Sequence, residues 1–244
     1  MRAVVVGASA GVGRALTEAL AARGHAMLLV ASDERDLEAQ SAHLHLAHGV
    51  HVETVAADAG RPLECIERIH RAAGAFGAID AVFFPIGESS GNDDGSLSLE
   101  QARRLLDVNL FVVVGLIARL LPLLIGAEQA NIVGFGSVAA IRGRGANVVY
   151  SAAKRGLESY FESLRCLTAR SRVRTQFYRL GYVATQQSFG HRLLFPPATP
   201  RSIAEAVLDN LGSDRGIVHL PRYWSVIACV VRSMPWSIFK RLDF

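Results

Sequence analysis

The chain has 244 residues, half of them hydrophobic and a fifth charged, with a formal net charge of only +4. That length suits a single α/β domain with a real core, and that composition excludes a disordered chain. The balance is slightly basic, yet no dense basic run or basic–aromatic stripe covers most of the chain, so no nucleic-acid partner is expected.

The chain begins at once with a short apolar run, "RAVVV", leaving no room for a signal peptide. This run reads as a first strand, and a helix is expected from about Gly13 to Arg23. "AMLLVA" is a second strand, followed by a helix from Asp33 to the histidines near 48. "VHVETVAA", "IDAVFF", "ANIVGF", "VRTQFYRL" and "GIVHL" supply five more strands between helical segments. Near-continuous apolar strands alternating with helices mean a parallel sheet covered on both faces. Right-handed crossovers then give a doubly wound, Rossmann-type seven-stranded α/β fold in a single domain.

"GESSGNDDGS" (87–96) is a loop, and "QQSFGHRLLFPPATP" (186–200) an irregular insert before the last helix of the domain. The domain is expected to run over 1–222, with 223–244 as an apolar and basic extension. The stretch 110–126 is apolar, but Arg119 and Pro122 interrupt it, so a buried helix is expected and no apolar stretch long enough to span a bilayer.

Three scattered cysteines, Cys65, Cys166 and Cys229, form no CxxC. They indicate neither a disulfide framework nor a zinc site and suit a reducing, cytoplasmic compartment. "HLHLAHGVH" (43–51) clusters four histidines without an i, i+4 pair, so no metal site is expected.

The glycine loop "VVVGASAGVGRAL" lies between the first strand and the first helix. Gly7, Gly11 and Gly13 lack a Cβ where backbone must turn tightly and approach a pyrophosphate. Ser9, Ala10 and Val12 complete the loop, and the helix N-terminus behind it offers free N–H groups. In this context the loop points to a dinucleotide. An acid closing the second strand would select NAD through the ribose 2′-OH. Here "VASDER" places Ala31 and Ser32 there. Ser32, with Arg35 or Arg14, suits a 2′-phosphate, whereas Asp33 argues the other way. NADP(H) is favoured over NAD(H).

Tyr150 and Lys154 are four residues apart, so a helix puts them on one face. An ammonium beside a phenol lowers the phenol's pKa and readies it to exchange a proton with a carbonyl oxygen. Ser137, thirteen residues upstream at the end of the fifth strand, is placed to hydrogen-bond that oxygen. Carboxyl ends of parallel strands are where such sites form.

These residues and the G-x3-G-x-G spacing resemble the short-chain dehydrogenase/reductase family, with Val6 in place of its usual threonine. The resemblance implies a serine–tyrosine–lysine set at Ser137, Tyr150 and Lys154. It also implies a fourth catalytic residue at Asn109, in "LLDVNLF", holding a water that relays protons to the lysine. Asp58, with Ala59 beside it, stands where the family contacts adenine, although a helix cap is the alternative reading. "LGYVAT" resembles the segment lining the nicotinamide, with Leu180 replacing a proline while Gly181, Val183 and Thr185 keep register. "FPIG" (84–87) departs from the family's NNAG. Gly87 survives, Pro85 cannot donate a backbone hydrogen bond, and the wall near the adenine ribose must be built differently. The family implies a homodimer or homotetramer through the helices carrying Asn109 and Tyr150.

The tail 223–244 admits two readings. It is either a helix packed over the substrate pocket or another subunit, or an interfacial segment at a membrane's inner face, with Trp and Arg/Lys at headgroup level. "VVRSMPWSIFKRL" resembles the tail of the decaprenylphosphoryl-ribose 2-epimerase reductase subunit, which implies a bulky, lipid-linked or sugar-like ketone. Arg142 and Arg144 either bind a substrate phosphate or are exposed loop charge. The activity expected is hydride transfer between NAD(P)(H) and a carbonyl or secondary alcohol. A soluble 3-ketoacyl or small-alcohol enzyme and a non-enzymatic dinucleotide sensor are the alternatives.

Overall fold

The computed structural model describes residues 1–186, 190 and 194–241. Its strands are β1 (Arg2–Val6), β2 (Ala26–Ala31), β3 (Val52–Ala56), β4 (Ala81–Phe84), β5 (Ala130–Ser137), β6 (Val173–Leu180) and β7 (Ile217–Leu220). Among the described residues they form one parallel sheet in the order β3-β2-β1-β4-β5-β6-β7. This is the doubly wound fold expected. The third strand is shorter than "VHVETVAA", and the fifth runs two residues further, to Ser137.

The strands are apolar on both faces because both faces are covered. Val4 and Val6 pack to one side with Ile66, Val112, Leu116 and Phe161. Ala3 and Val5 pack to the other with Leu16, Leu20, Ile203 and Val207. Each such large side chain contributes about 1.5–3 kcal/mol by leaving water. The helices supplying these residues are α1 (Gly11–Ala22), α2 (Glu34–His48), α3 (Pro62–Phe76), α4 (Leu99–Leu106), α5 (Val112–Ile125), α6 (Val148–Thr168) and α7 (Pro200–Asp209). α1 starts two residues earlier than the sequence suggested, inside the glycine loop itself.

The chain winds from β1 outward to β3, then returns to β4 on β1's other edge. The loops after β1 and β4 therefore diverge and leave a crevice at the carboxyl ends, which is where such folds bind ligands.

One expectation needs correction. α4 and α5 join through a π-helical turn, Asp107–Phe111, into one helix from Leu99 to Ile125. Pro122 is accommodated within it, so this helix is long and apolar enough to cross a membrane by length and composition. Its buried face, with Val113, Ile117 and Leu120, packs in the core. The tail forms helices α8 (Trp224–Ser233) and α9 (Trp236–Phe239) that lie over the crevice, as the first of its two readings has it. Of the insert 186–200, residues 187–189 and 191–193 lie outside the described residues, as do 242–244 of the tail. Within the insert, Ala198 bridges Val183, and Thr199 caps α7.

Candidate active site

A cleft of about 1100 Å³ lies at the carboxyl ends of the strands. Its floor begins with the glycine loop. Gly7 has φ +97°, and a Cβ there would lie 2.8 Å from the Ile86 backbone. A Cβ on Gly13 would lie 1.8 Å from the Gly7 carbonyl oxygen. Glycine is thus required at both positions. Ser9, Ala10, Gly11 and Val12 line the cleft, while Gly13 sits behind them. The N-cap of α1, Ala10, gives no side-chain hydrogen bond, and the first turn carries no acid. The helix's first N–H groups are left to a ligand, and its dipole favours an anion there. This cradle fits the pyrophosphate of a dinucleotide.

Ser32, Asp58 and Ala59 line one end of the cleft. Asp33 is turned away from this task, because its carboxylate caps α2 by accepting the Asp36 N–H at 3.1 Å. Arg14 pairs with both oxygens of Asp36, at 2.6 and 2.7 Å, and donates to the Ser9 carbonyl. Arg35 is exposed on the first turn of α2 and is not part of the lining. Asp58 is not the cap of α3, whose N-cap is Arg61. It accepts the Gly60 N–H in a tight turn. A bridge that the sequence did not signal crosses here. Arg104 pairs with both Glu88 oxygens at 3.0 Å and approaches Asp58 at 3.9 Å. Glu88 holds the Arg104 guanidinium pKa above its usual range.

The departure at "FPIG" has a specific result. Ile86 passes against Gly7, and its carbonyl accepts Lys154 Nζ at 3.2 Å. A Cβ on Gly87 would come within 3.0 Å of Asn109 Oδ1 and 3.1 Å of Lys154 Nζ. Asn109 is fully buried in the π-helical turn. Its Oδ1 accepts the Glu88 N–H at 3.2 Å, and its Nδ2 donates to Glu88 and Leu105 carbonyls at 2.7 and 2.9 Å. The side chain clamps the strap 87–88 beside Lys154.

Ser137, Tyr150 and Lys154 converge on the same cleft. Lys154 Nζ lies 5.9 Å from the Tyr150 ring centre and donates to the Phe135 carbonyl at 3.3 Å as well as to Ile86. Burial pushes the Lys154 ammonium down to about 8. Burial also raises the Tyr150 phenol above its ordinary pKa, opposed by its hydrogen bond with Ser137. The expected depression by Lys154 is absent from this arrangement: desolvation outweighs the opposing bond, and the lysine's donors point to two carbonyls.

The helix carrying Tyr150 and Lys154 is held by a residue the sequence did not reveal. Its N-cap, Asn147, is left-handed (φ 57°) and gives no side-chain cap bond. Asp93, 2% exposed, supplies the cap from the loop 87–96 instead. Its carboxylate accepts the N–H groups of Val149 and Tyr150 at 2.9 and 2.8 Å, and its carbonyl accepts that of Val148 at 3.1 Å. Below, Glu158 on α6 and Arg179 on β6 form a buried, bidentate ion pair, with His219 Nε2 2.7 Å from Arg179.

Gly181, Val183 and Thr185 line the opposite wall. A Cβ on Gly181 would strike the Trp224 indole nitrogen at 1.8 Å, so glycine is required where the tail meets the site. Trp224 is buried against Tyr182, Phe195 and Tyr223. Ile227, Val231, Met234 and Phe239 continue this wall. Arg142 is neither exposed charge nor turned to solvent, because it donates to the Val231 and Met234 carbonyls. The histidines of 43–51 are used locally: His43 and His48 face Glu18, His51 faces Glu53, and His45 meets the Val50 carbonyl.

Fold and site together define a doubly wound α/β protein whose glycine cradle shares one cleft with Ser137, Tyr150 and Lys154. The sequence pattern of short chain dehydrogenases matches residues 1–190. An uncharacterized oxidoreductase of Myxococcus xanthus is 30% identical over 184 residues, covering 75% of this chain and 72% of that one. The 3-oxoacyl-[acyl-carrier-protein] reductase of Escherichia coli is 28% identical over 186 residues, covering 76% and 75%. A solved short-chain dehydrogenase from Sphingobium yanoikuyae, in complex with NADPH, shares the fold at a TM-score of 0.84 and 21% identity, covering 99% and 96%. The chain belongs to the short chain dehydrogenase family and is an oxidoreductase.

Proposed function

We propose that this oxidoreductase moves hydride between NADP(H) and a ketone or secondary alcohol with a bulky, largely apolar substituent. The observation that carries the reading is one cleft joining the glycine cradle to Ser137, Tyr150 and Lys154. A bound nicotinamide supplies or accepts the hydride. Tyr150 gives the carbonyl oxygen its proton, or takes it back in the reverse direction, and Ser137 donates a hydrogen bond to the same oxygen. Lys154 holds a positive charge at the cofactor's edge. Asn109 keeps the strap 87–88 against it, on the path where the family resemblance puts a relay water.

NADP(H) is favoured because no acid is offered to a ribose 2′-OH beyond β2. Ala31 and Ser32 line the cleft, while Asp33 is engaged as a cap. Kd values for NADPH and NADH test this, and tighter binding of NADH overturns the preference.

The narrower reading is a lipid-linked keto-sugar, met at the inner face of a membrane by a cytoplasmic enzyme. The tail's sequence resemblance supports it, and so does its outer face. Val226, Val230, Trp236 and Ile238 are 67, 58, 63 and 52% exposed, beside the exposed Arg222, Arg232, Lys240 and Arg241. A second reading, a soluble 3-ketoacyl or small-alcohol reductase, is favoured by the Escherichia coli relative. NADPH oxidation with an acyl-carrier 3-ketoester against a polyprenyl-phosphate ketose separates the two. A homodimer or homotetramer through the helices of Asn109 and Tyr150 is supported by the exposed Leu106 and Phe111.

A further inference from the structure

The loop that follows Ser137 is fastened to the C-terminal helices by one side chain. Arg142 Nη1 donates to the Val231 carbonyl in the last turn of α8, at 3.0 Å, and to the carbonyl of its C-cap residue, Met234. Its guanidinium carbon lies 4.1 Å from the centre of the Phe239 ring. A cation at a helix C-terminus meets the negative end of the dipole, one guanidinium nitrogen serves both carbonyls, and the guanidinium carbon sits within cation–π range of the ring. Arg142 thus joins α8 and α9 to a loop only five residues beyond the catalytic serine.

The wall so held is apolar. Trp224, Ile227 and Val231 recur at helical spacing on the face of α8 that looks into the cleft, and Met234 extends it. The two ends of this wall are anchored differently. Trp224 is packed edge-on against Tyr182 and Phe195, with ring centres 5.1 and 5.3 Å apart. The far end, from Val231 to Phe239, is tied across the cleft by Arg142.

We infer that Arg142 is a specificity-determining positioning residue, which sets the α8–α9 wall as a subsite for an extended apolar chain on the ketone. This rests on the ketone-reductase reading above. The wall's distance from Ser137 and Tyr150 is fixed through the Arg142 loop, so the length of chain buried beside the reacting carbonyl is fixed with it. Burial of a methylene, at about 0.8 kcal/mol, corresponds to about a fourfold gain per carbon.

The test is kcat/KM with NADPH along the methyl ketones from 2-butanone to 2-decanone, for the natural chain and for Arg142→Ala, Arg142→Lys and Phe239→Ala. The natural chain is expected to gain steeply with length, up to about fourfold per methylene. Arg142→Ala should flatten the series, chiefly through KM for the long ketones. Arg142→Lys should be intermediate, because an ammonium can donate to a carbonyl but cannot stack as a plane. A merely structural role would lower all members alike and leave the slope unchanged, which overturns the inference. NADPH affinity reports folding, and if Arg142→Ala loses it, Phe239→Ala carries the test with the same expected flattening. A flat series in the natural chain, with turnover, overturns this inference alone. No turnover with any ketone while NADPH binds overturns the ketone-reductase reading and this one with it.

Discussion

The carboxylate of Asp93 accepts the main-chain N–H of Tyr150 at 2.8 Å, from 57 residues away in sequence. A buried acid thereby caps the helix that carries Tyr150 and Lys154, where the helix's own N-cap residue gives no side-chain bond. Hydrogen bonds to a charged group are worth about 1.5–3 kcal/mol each, and the loss would leave two part-buried donors without an acceptor. Asp93→Ala is expected to lower stability by about 2–3 kcal/mol and kcat by about tenfold or more. Asp93→Asn, which keeps one acceptor, should recover much of both. Thermal unfolding beside steady-state rates checks this, and an unchanged kcat in Asp93→Ala contradicts it.

The glycine cradle makes a second prediction. Gly7→Ala places a Cβ at 2.8 Å from the Ile86 backbone and at φ +97°. Such overpacking against backbone costs about 1–3 kcal/mol or more. The expected result is NADPH affinity weakened about tenfold or more, read by fluorescence titration. Gly24→Ala has φ +74° but open space around it, so it should lose stability alone and keep its affinity.

Glu158 and Arg179 are both about 5% exposed, and each is the other's counter-charge. Glu158→Ala leaves a buried guanidinium without its carboxylate, which costs about 3–5 kcal/mol. Replacing both, by Glu158→Leu with Arg179→Met, should recover most of that loss in denaturant unfolding. A double variant no better than the single one contradicts the pairing.

Lys154 gives a pH dependence with a definite sign. Burial sets its folded pKa at about 8, below the ordinary 10.5. Below about 8 the folded chain holds a buried ammonium at a cost. Between about 8 and 10.5 the folded lysine is neutral while the unfolded one is still protonated, so its contribution to stability rises with pH across that window. The charge that meets the cofactor is lost over the same rise. Dinucleotide kcat/KM, which reports free-enzyme groups, is therefore expected to fall as pH passes about 8. Lys154→Met should remove both limbs, and a fall that persists in that variant contradicts the assignment.

What the sequence carried well is local. "VVVGASAGVGRAL" is legible because the turn, the glycines and the helix start are adjacent, and Tyr150 and Lys154 because helical spacing alone puts them on one face. Asp93 and Arg104 are not legible as site residues, since their partners lie 57 and 16 positions away and only the fold brings them together. For Arg142 the sequence offers a phosphate ligand or loose charge. Its use as a fastener depends on a tail that no local pattern places over the cleft. The direction of the shift at Tyr150 is not legible for a related reason. A lysine neighbour is visible in sequence, but the depth of burial that outweighs it is not.

In the proposed reaction Tyr150 exchanges the proton of a hydride transfer prepared by the cradle and Lys154. Single-turnover reduction of a ketone by NADPH in Tyr150→Phe tests it most directly. A fall of about 100-fold or more in the hydride-transfer rate is expected, with NADPH affinity essentially unchanged. Hydride transfer at the natural rate in that variant would contradict it.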